Sequence, residues 1–112
     1  MDSTRQQKVS RLLQKEMGSF FQQQGNSILP GKMITVTVVR ISPDLGYAKV
    51  YLSIFPSDNN QEAIEIVRKK ESSIRLEVGK KIKNQLRVIP EFNYFVDDSL
   101  DYIENIDNLL NE

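Results

Sequence analysis

Histidine and cysteine are both missing from this chain, and each absence removes a block of chemistry. Without them there is no Ser-His or Cys-His nucleophilic pair, no imidazole acid–base catalyst, no zinc site built on thiolate or imidazole, and no disulfide framework. The lack of cysteine suits a reducing compartment. Glycine is scarce as well, with five residues at positions 18, 25, 31, 46 and 79. So dispersed a set cannot build a Walker-type or dinucleotide-type loop around a phosphate chain. No apolar run approaches the roughly 18 residues that a spanning helix needs, and Met1 to Gln7 is polar, so a cytoplasmic protein with no membrane partner is expected. The carboxylates Asp97, Asp98 and Asp101 could hold Mg2+ through oxygen. Capping of a helix by Asp98 or Ser99, with acids near its positive end, accounts for them with no further assumption and is the preferred reading. No catalytic residue, metal site or cofactor is therefore assigned, and an enzyme is not expected.

What is present fits one globular domain. At 112 residues the chain is long enough for a single core, and 39% hydrophobic against 27% charged residues lacks the signature of disorder. A formal net charge of zero conceals strong segregation. Residues 1–90 hold all 15 Lys and Arg against eight Asp and Glu, a net of +7, while residues 91–112 hold seven acids and no base, a net of −7. A basic body that meets a polyanion, followed by an acidic tail, is the usual meaning of such asymmetry.

From Thr4 to about Gln24, Val9, Leu13, Met17 and Phe20 recur at three- and four-residue intervals, which predicts a helix with Thr4 and Gln7 as its capping box and Gly25-Asn26 as its stop. Met33 to Ser42 predicts a strand with Ile34, Val36 and Val38 on its buried face. Tyr47 to Phe55 predicts another, with Ala48, Val50, Leu52 and Ile54 pointing one way, and Ser42 to Gly46 supplies the turn of an antiparallel hairpin. Asn59 and Glu62 can cap a helix through Val67. Ser72 reads as the cap of a further helix to about Val88, buried along Ile74, Val78, Ile82 and Leu86 and closed by Pro90. Phe92, Tyr94 and Val96 alternate as a third strand, and Ser99 to Leu110 predicts a short acidic helix. The order α-β-β-α-α-β implies a two-layer α+β domain over residues 1–97, with a three-stranded sheet covered by helices on one face, and an acidic tail over 98–112.

The strongest functional signal lies between Arg68 and Arg87, where eight bases face only Glu71 and Glu77, a net of +6. Lys80, Lys83 and Arg87 fall opposite the buried line of the predicted helix and should project together into solvent, with Arg75 and Lys81 beside them. Cations so aligned can neutralise successive phosphates and release their counterions. Lys8, Arg11 and Lys15 make a second basic stripe on the outer side of the first helix. These eight residues are the candidate RNA contacts. Tyr47, Tyr51, Phe55 and Phe95 could form a stacking surface on the sheet, although strand aromatics more often pack. The competing reading is a protein-interaction module whose basic face only solubilises and whose acidic tail recruits a partner.

Several short segments, in order, resemble the ribosome-binding factor A family: Thr35 to Leu45, Ala48 to Ser53, Ile74-Arg75 with Gly79-Lys80, Arg87 to Phe92, and Phe95 to Ser99. The resemblance covers nearly the whole chain. It implies a KH-like (type II) fold in which the usual GxxG loop is replaced by a kink, typically Ala-x-Gly, and this sequence contains no GxxG. Before Gly79 the sequence reads Glu77-Val78 where a small residue would be expected two positions earlier. The resemblance further implies binding to the immature 30S ribosomal subunit and its 16S rRNA and support of late maturation and rRNA processing, including at low temperature; a monomer is expected.

Overall fold

The computed structural model describes residues 3–56 and 59–97; the predicted acidic helix from Ser99 to Leu110 lies outside them. The described elements are α1 (Thr4–Ile28), β1 (Met33–Ile41), β2 (Tyr47–Phe55), α2 (Asn60–Lys69), α3 (Glu71–Ile82) and β3 (Glu91–Val96). One three-stranded sheet has the order β1-β2-β3, with β1 antiparallel and β3 parallel to the central β2. The parallel pair requires a crossover, which α2 and α3 supply. All three helices lie on one face of the sheet, and between the layers Leu13, Met17, Leu52, Ile64, Ile74 and Tyr94 are completely or almost completely buried.

α1 starts one residue before the sequence signal, because two overlapping boxes compete. Ser3 rather than Thr4 is the cap: its hydroxyl accepts from Gln6 N at 3.1 Å, and Gln6 Oε1 accepts from Ser3 N at 2.9 Å. The buried Gln6 amide also donates to Ile41 O at 3.2 Å. That bond to the end of β1 selects the register. At its far end the helix passes through Gly25 and Asn26 to Ile28, burying Ile28 and then Leu29. Gly25 is accommodated against Ile34, whose side chain would lie 3.5 Å from an added Cβ. The helix ends at Ile28 with Leu29 as its C-cap, and Gly31, at φ +80° with its N–H donating to Asn26 Oδ1 at 2.9 Å, turns the chain toward β1.

β1 departs from simple alternation. Its pairing with β2 shifts between Val36 and Val38, so Val39 and Ile41 are buried and Val38 turns outward, contrary to the sequence pattern. Thr37 is the inserted residue of this bulge. Its hydroxyl lies 2.5 Å from Asp97 Oδ2 and 3.2 Å from Tyr51 O, tying β1 to the end of β3. The turn between β1 and β2 is held by Asp44, which accepts from Ser42 Oγ at 2.6 Å and Gly46 N at 3.0 Å. Those bonds, the Ser42 hydroxyl first, hold its pKa below the ordinary 3.8.

The crossover helices also differ from the sequence pattern. Asn59 precedes α2 with φ 57° and makes no side-chain cap bond to the backbone; its amide instead meets the Glu62 carboxylate. Lys70, not Ser72, separates α2 from α3, and α3 ends at Ile82 rather than near Val88. Bonds from Gln85 N and Leu86 N to Ile82 O turn the chain, which then returns along α3 to Pro90.

A candidate nucleic-acid interface on the outer face of α3

α3 buries Ile74, Val78 and Ile82 against the sheet and α1. Three-residue and four-residue steps therefore put Ser72, Leu76, Lys80 and Lys83 on the opposite, exposed side. Beside this row the returning segment lays Ile89 against Gly79, where an added Cβ would lie 3.4 Å from Ile89 Cγ1. The result is a shallow groove of about 530 Å3 with an apolar floor at Leu76, Gly79 and Ile89 and cations on its rim. Leu76 is 60% exposed and supplies the apolar part of this outer face.

Arg75 closes one end of the groove without projecting freely from it. Its Nε donates to Pro90 O at 3.0 Å and its Nη2 to Ile89 O at 2.6 Å, so the guanidinium clasps the returning segment to α3. Arg68 is similarly committed. It donates twice to Tyr94 O, at 3.0 and 2.9 Å, and once to Glu65 at 2.6 Å, joining α2 to β3. Two arginines of the basic run thus hold the scaffold, and the more exposed lysines are its outward charges. Lys80 has an exposed ion pair with Glu77 at 3.6 Å. Such a pair is weak and can be exchanged for a phosphate.

The predicted site residues do not form a single patch. Lys80 and Lys83 share the α3 groove with Arg75. Arg87 is exposed in the turn after α3, not on a continuing helix. Lys81 lines a separate groove of about 500 Å3 between α1 and α3, together with Lys70 and Glu77. Lys8, Arg11 and Lys15 are exposed on the first half of α1, whereas α3 borders the stretch from Phe20 to Ile28. Helical rise puts Lys15 roughly 12 Å along the axis from Gln23. Ser72 and Leu76 were missed as groove residues. Leu76 carried a signal, since it falls two positions off the buried Ile74-Val78 line and must point outward.

Asp97 is engaged by Thr37, while Asp98 and Asp101 lie outside the described residues. Among the described residues no group of three acidic ligands comes together, and no helix is long and apolar enough to cross a membrane. The two crossover helices break at Lys70, and α3 runs unbroken through Glu77-Val78-Gly79, so no kink lies at those residues.

The order α-β-β-α-α-β and the mixed sheet with β3 parallel to β2 define a KH-like α+β domain, here without a GxxG between the crossover helices. The family model for ribosome-binding factor A matches residues 5–110. A ribosome-binding factor A from Cytophaga hutchinsonii is 38% identical over 112 residues, covering 100% of this chain and 84% of that protein. One from Christiangramia forsetii is 38% identical over 107 residues, covering 95% and 82%. The chain belongs to the ribosome-binding factor A family. Its fold is similar to the crystal structure of ribosome-binding factor A from Thermus thermophilus, with a TM-score of 0.68 at 18% identity over 81% of this chain and 94% of that one. It is also similar to a homology model of the Thermus thermophilus factor fitted into the cryo-EM map of its 30S complex, with a TM-score of 0.64, 18% identity, and coverage of 80% and 91%.

Proposed function

We propose that this protein binds the immature 30S ribosomal subunit through its 16S rRNA and assists late subunit maturation and rRNA processing, including at low temperature. It acts in the cytoplasm, as a monomer and without catalysis. The observation that carries the reading is the α3 groove, in which Lys80 and Lys83 rim an apolar floor held in place by the Arg75 clasp. Phosphates can meet the rim while a sugar or base edge covers Leu76. Support from outside the chain is the 30S complex of the Thermus thermophilus factor, whose fold this domain shares. Residues 1–97 are the RNA-binding domain in this reading, and residues 98–112 are its acidic tail. The α1 stripe of Lys8, Arg11 and Lys15 adds a second set of phosphate contacts, and Lys81 a third point on the same helical layer.

The test is sedimentation of cell lysate followed by detection of the protein across ribosomal fractions, with wild type compared to Lys80→Glu, Lys83→Glu and Arg87→Glu combined. All three side chains are exposed, so circular dichroism should not change. The wild type should travel with small subunits and the triple variant should remain at the top of the gradient. A folded triple variant that still travels with small subunits refutes the assignment of these cations.

A further inference from the structure

The sheet face turned away from the helices is uncovered among the described residues, and its side chains are patterned. Ala48, Val50, Leu52 and Ile54 of the central strand are buried, so Tyr47, Lys49, Tyr51, Ser53 and Phe55 take the other face. An aromatic recurs there every four residues, about 13 Å apart at the strand rise, with a lysine between the first two. Strand pairing extends the pattern sideways. Lys49 stands between Arg40 of β1 and Asn93 of β3, and Tyr51 stands between Val38 and Phe95. The Tyr51 and Phe95 rings are stacked, 5.5 Å between centroids at 29°. The Arg68 guanidinium lies 5.7 Å from the Phe95 centroid, fixed by its two bonds to Tyr94 O. Acids stay at the borders: Glu91 opposite Tyr47, Asp97 against Thr37, and Glu65 paired with Arg68.

We infer that this open sheet face is a second nucleic-acid surface, one that takes single-stranded RNA by stacking unpaired bases beside Tyr51 and Phe95 while Arg40 and Lys49 meet the adjoining phosphates. Aromatics interleaved with cations on a flat surface are what an unpaired strand requires, since every base has a π face and every linkage a charge. A duplex keeps its bases stacked inside and cannot use the rings. A protein laid across the same face would have to desolvate Arg40 and Lys49 among apolar side chains, whereas phosphates neutralise them. The surface lies on the opposite side of the sheet from the α3 groove, so both can be occupied at once. The inference does not depend on the reading of α3.

The experiment is fluorescence anisotropy of a labelled, unstructured ten-nucleotide RNA with the full chain, beside the same RNA in a duplex. Single-stranded RNA should bind more tightly than duplex. Tyr51→Leu with Phe95→Leu should weaken single-strand binding about 5- to 160-fold, the range expected for one stacked base. Arg40→Ala with Lys49→Ala alters only exposed side chains and should reduce the salt slope by about 1.4, two phosphates of a single strand. The α3 triple variant should keep the strand preference and the effect of the ring substitutions, which separates this inference from the 30S assignment. Wild-type affinity in both the ring variant and the Arg40/Lys49 variant overturns the inference. So does preference for the duplex, or failure of the wild type to bind single strands because its own tail occupies the face.

Discussion

Replacing Arg75 by alanine separates scaffold from contact. The guanidinium makes two hydrogen bonds to carbonyls of the returning segment, to Pro90 O at 3.0 Å and Ile89 O at 2.6 Å. A hydrogen bond to a charged group contributes about 1.5–3 kcal/mol net. Arg75 is half-buried, so each bond contributes about 1–1.5 kcal/mol, at or just below the lower end of that range, and losing both should cost about 2–3 kcal/mol. With an urea m-value of about 1.5 kcal/mol/M, the unfolding midpoint should fall by about 1.3–2 M. Arg75→Lys keeps the charge but not the fork, so it should recover less than half of the loss. Where the alanine variant is still fully folded, the slope of RNA affinity against salt should equal that of the wild type, because Arg75 positions the groove and does not hold a phosphate. A wild-type midpoint combined with a slope reduced by about one phosphate would refute this reasoning and make Arg75 a direct RNA contact.

Gly79→Ala should leave stability unchanged or raise it by up to about 1 kcal/mol, since α3 is continuous there and the new methyl meets Ile89 at ordinary contact distance; clear destabilisation in urea would show that a bend at Gly79 matters. Tyr94 is fully buried with no hydrogen-bond partner for its hydroxyl among the described residues, and burial first, then the nearby Glu71 charge, pushes its pKa far up. The unfolded chain therefore releases this proton near pH 10 while the folded chain keeps it, so stability should fall above pH 10 by about 1.4 kcal/mol per pH unit. Tyr94→Phe should abolish that contribution and stabilise the protein by about 1 kcal/mol at neutral pH, with urea titrations at pH 7 and pH 10.5 as the check. Changing Asp98, Asp101, Glu104, Asp107 and Glu112 to Asn or Gln should strengthen binding of an unrelated RNA and steepen its salt dependence, as measured by anisotropy; no change in either would rule out an electrostatic role for these acids.

The elements that were legible from sequence are those governed by nearest-neighbour pattern. Ala48 to Ile54 alternates cleanly, and β2 has the predicted bounds. Where two phases or two ends were chemically equivalent, a distant partner decided. Val38 and Val39 are equally suited to burial, and Thr37, fastened to Asp97 sixty residues away, sets which one turns inward. Leu86 continues the four-residue line of Ile74, Val78 and Ile82, yet α3 stops early and Arg75 binds the returning carbonyls. The same long-range bonds explain why the candidate site was only partly readable. Arg68 and Arg75 count as charges in a sequence, but their donors are committed to Tyr94, Ile89 and Pro90 carbonyls. The lysines at 80, 81 and 83 were recognisable because outward position on a helix depends only on the buried line beside them.

Separating scaffold arginines from outward cations also limits how tightly the α3 face can bind. Three cations, Lys80, Lys83 and Arg87, would release about two to three counterions from RNA, giving an affinity that falls about 20- to 40-fold between 50 and 200 mM salt. Contacts of that kind give fast association and ready release, but they carry little sequence information because phosphates are the same everywhere. Discrimination must come from the shape of the target and from groups able to touch bases. In the α3 groove those groups are few, chiefly Ser72 and Leu76. The open face of the sheet has the rings that the groove lacks. A domain that engages folded rRNA with its helical layer and an unpaired strand with its sheet would bind tightly only where both forms of RNA lie within one domain's width. Each surface alone would bind more weakly and with less discrimination than the two together.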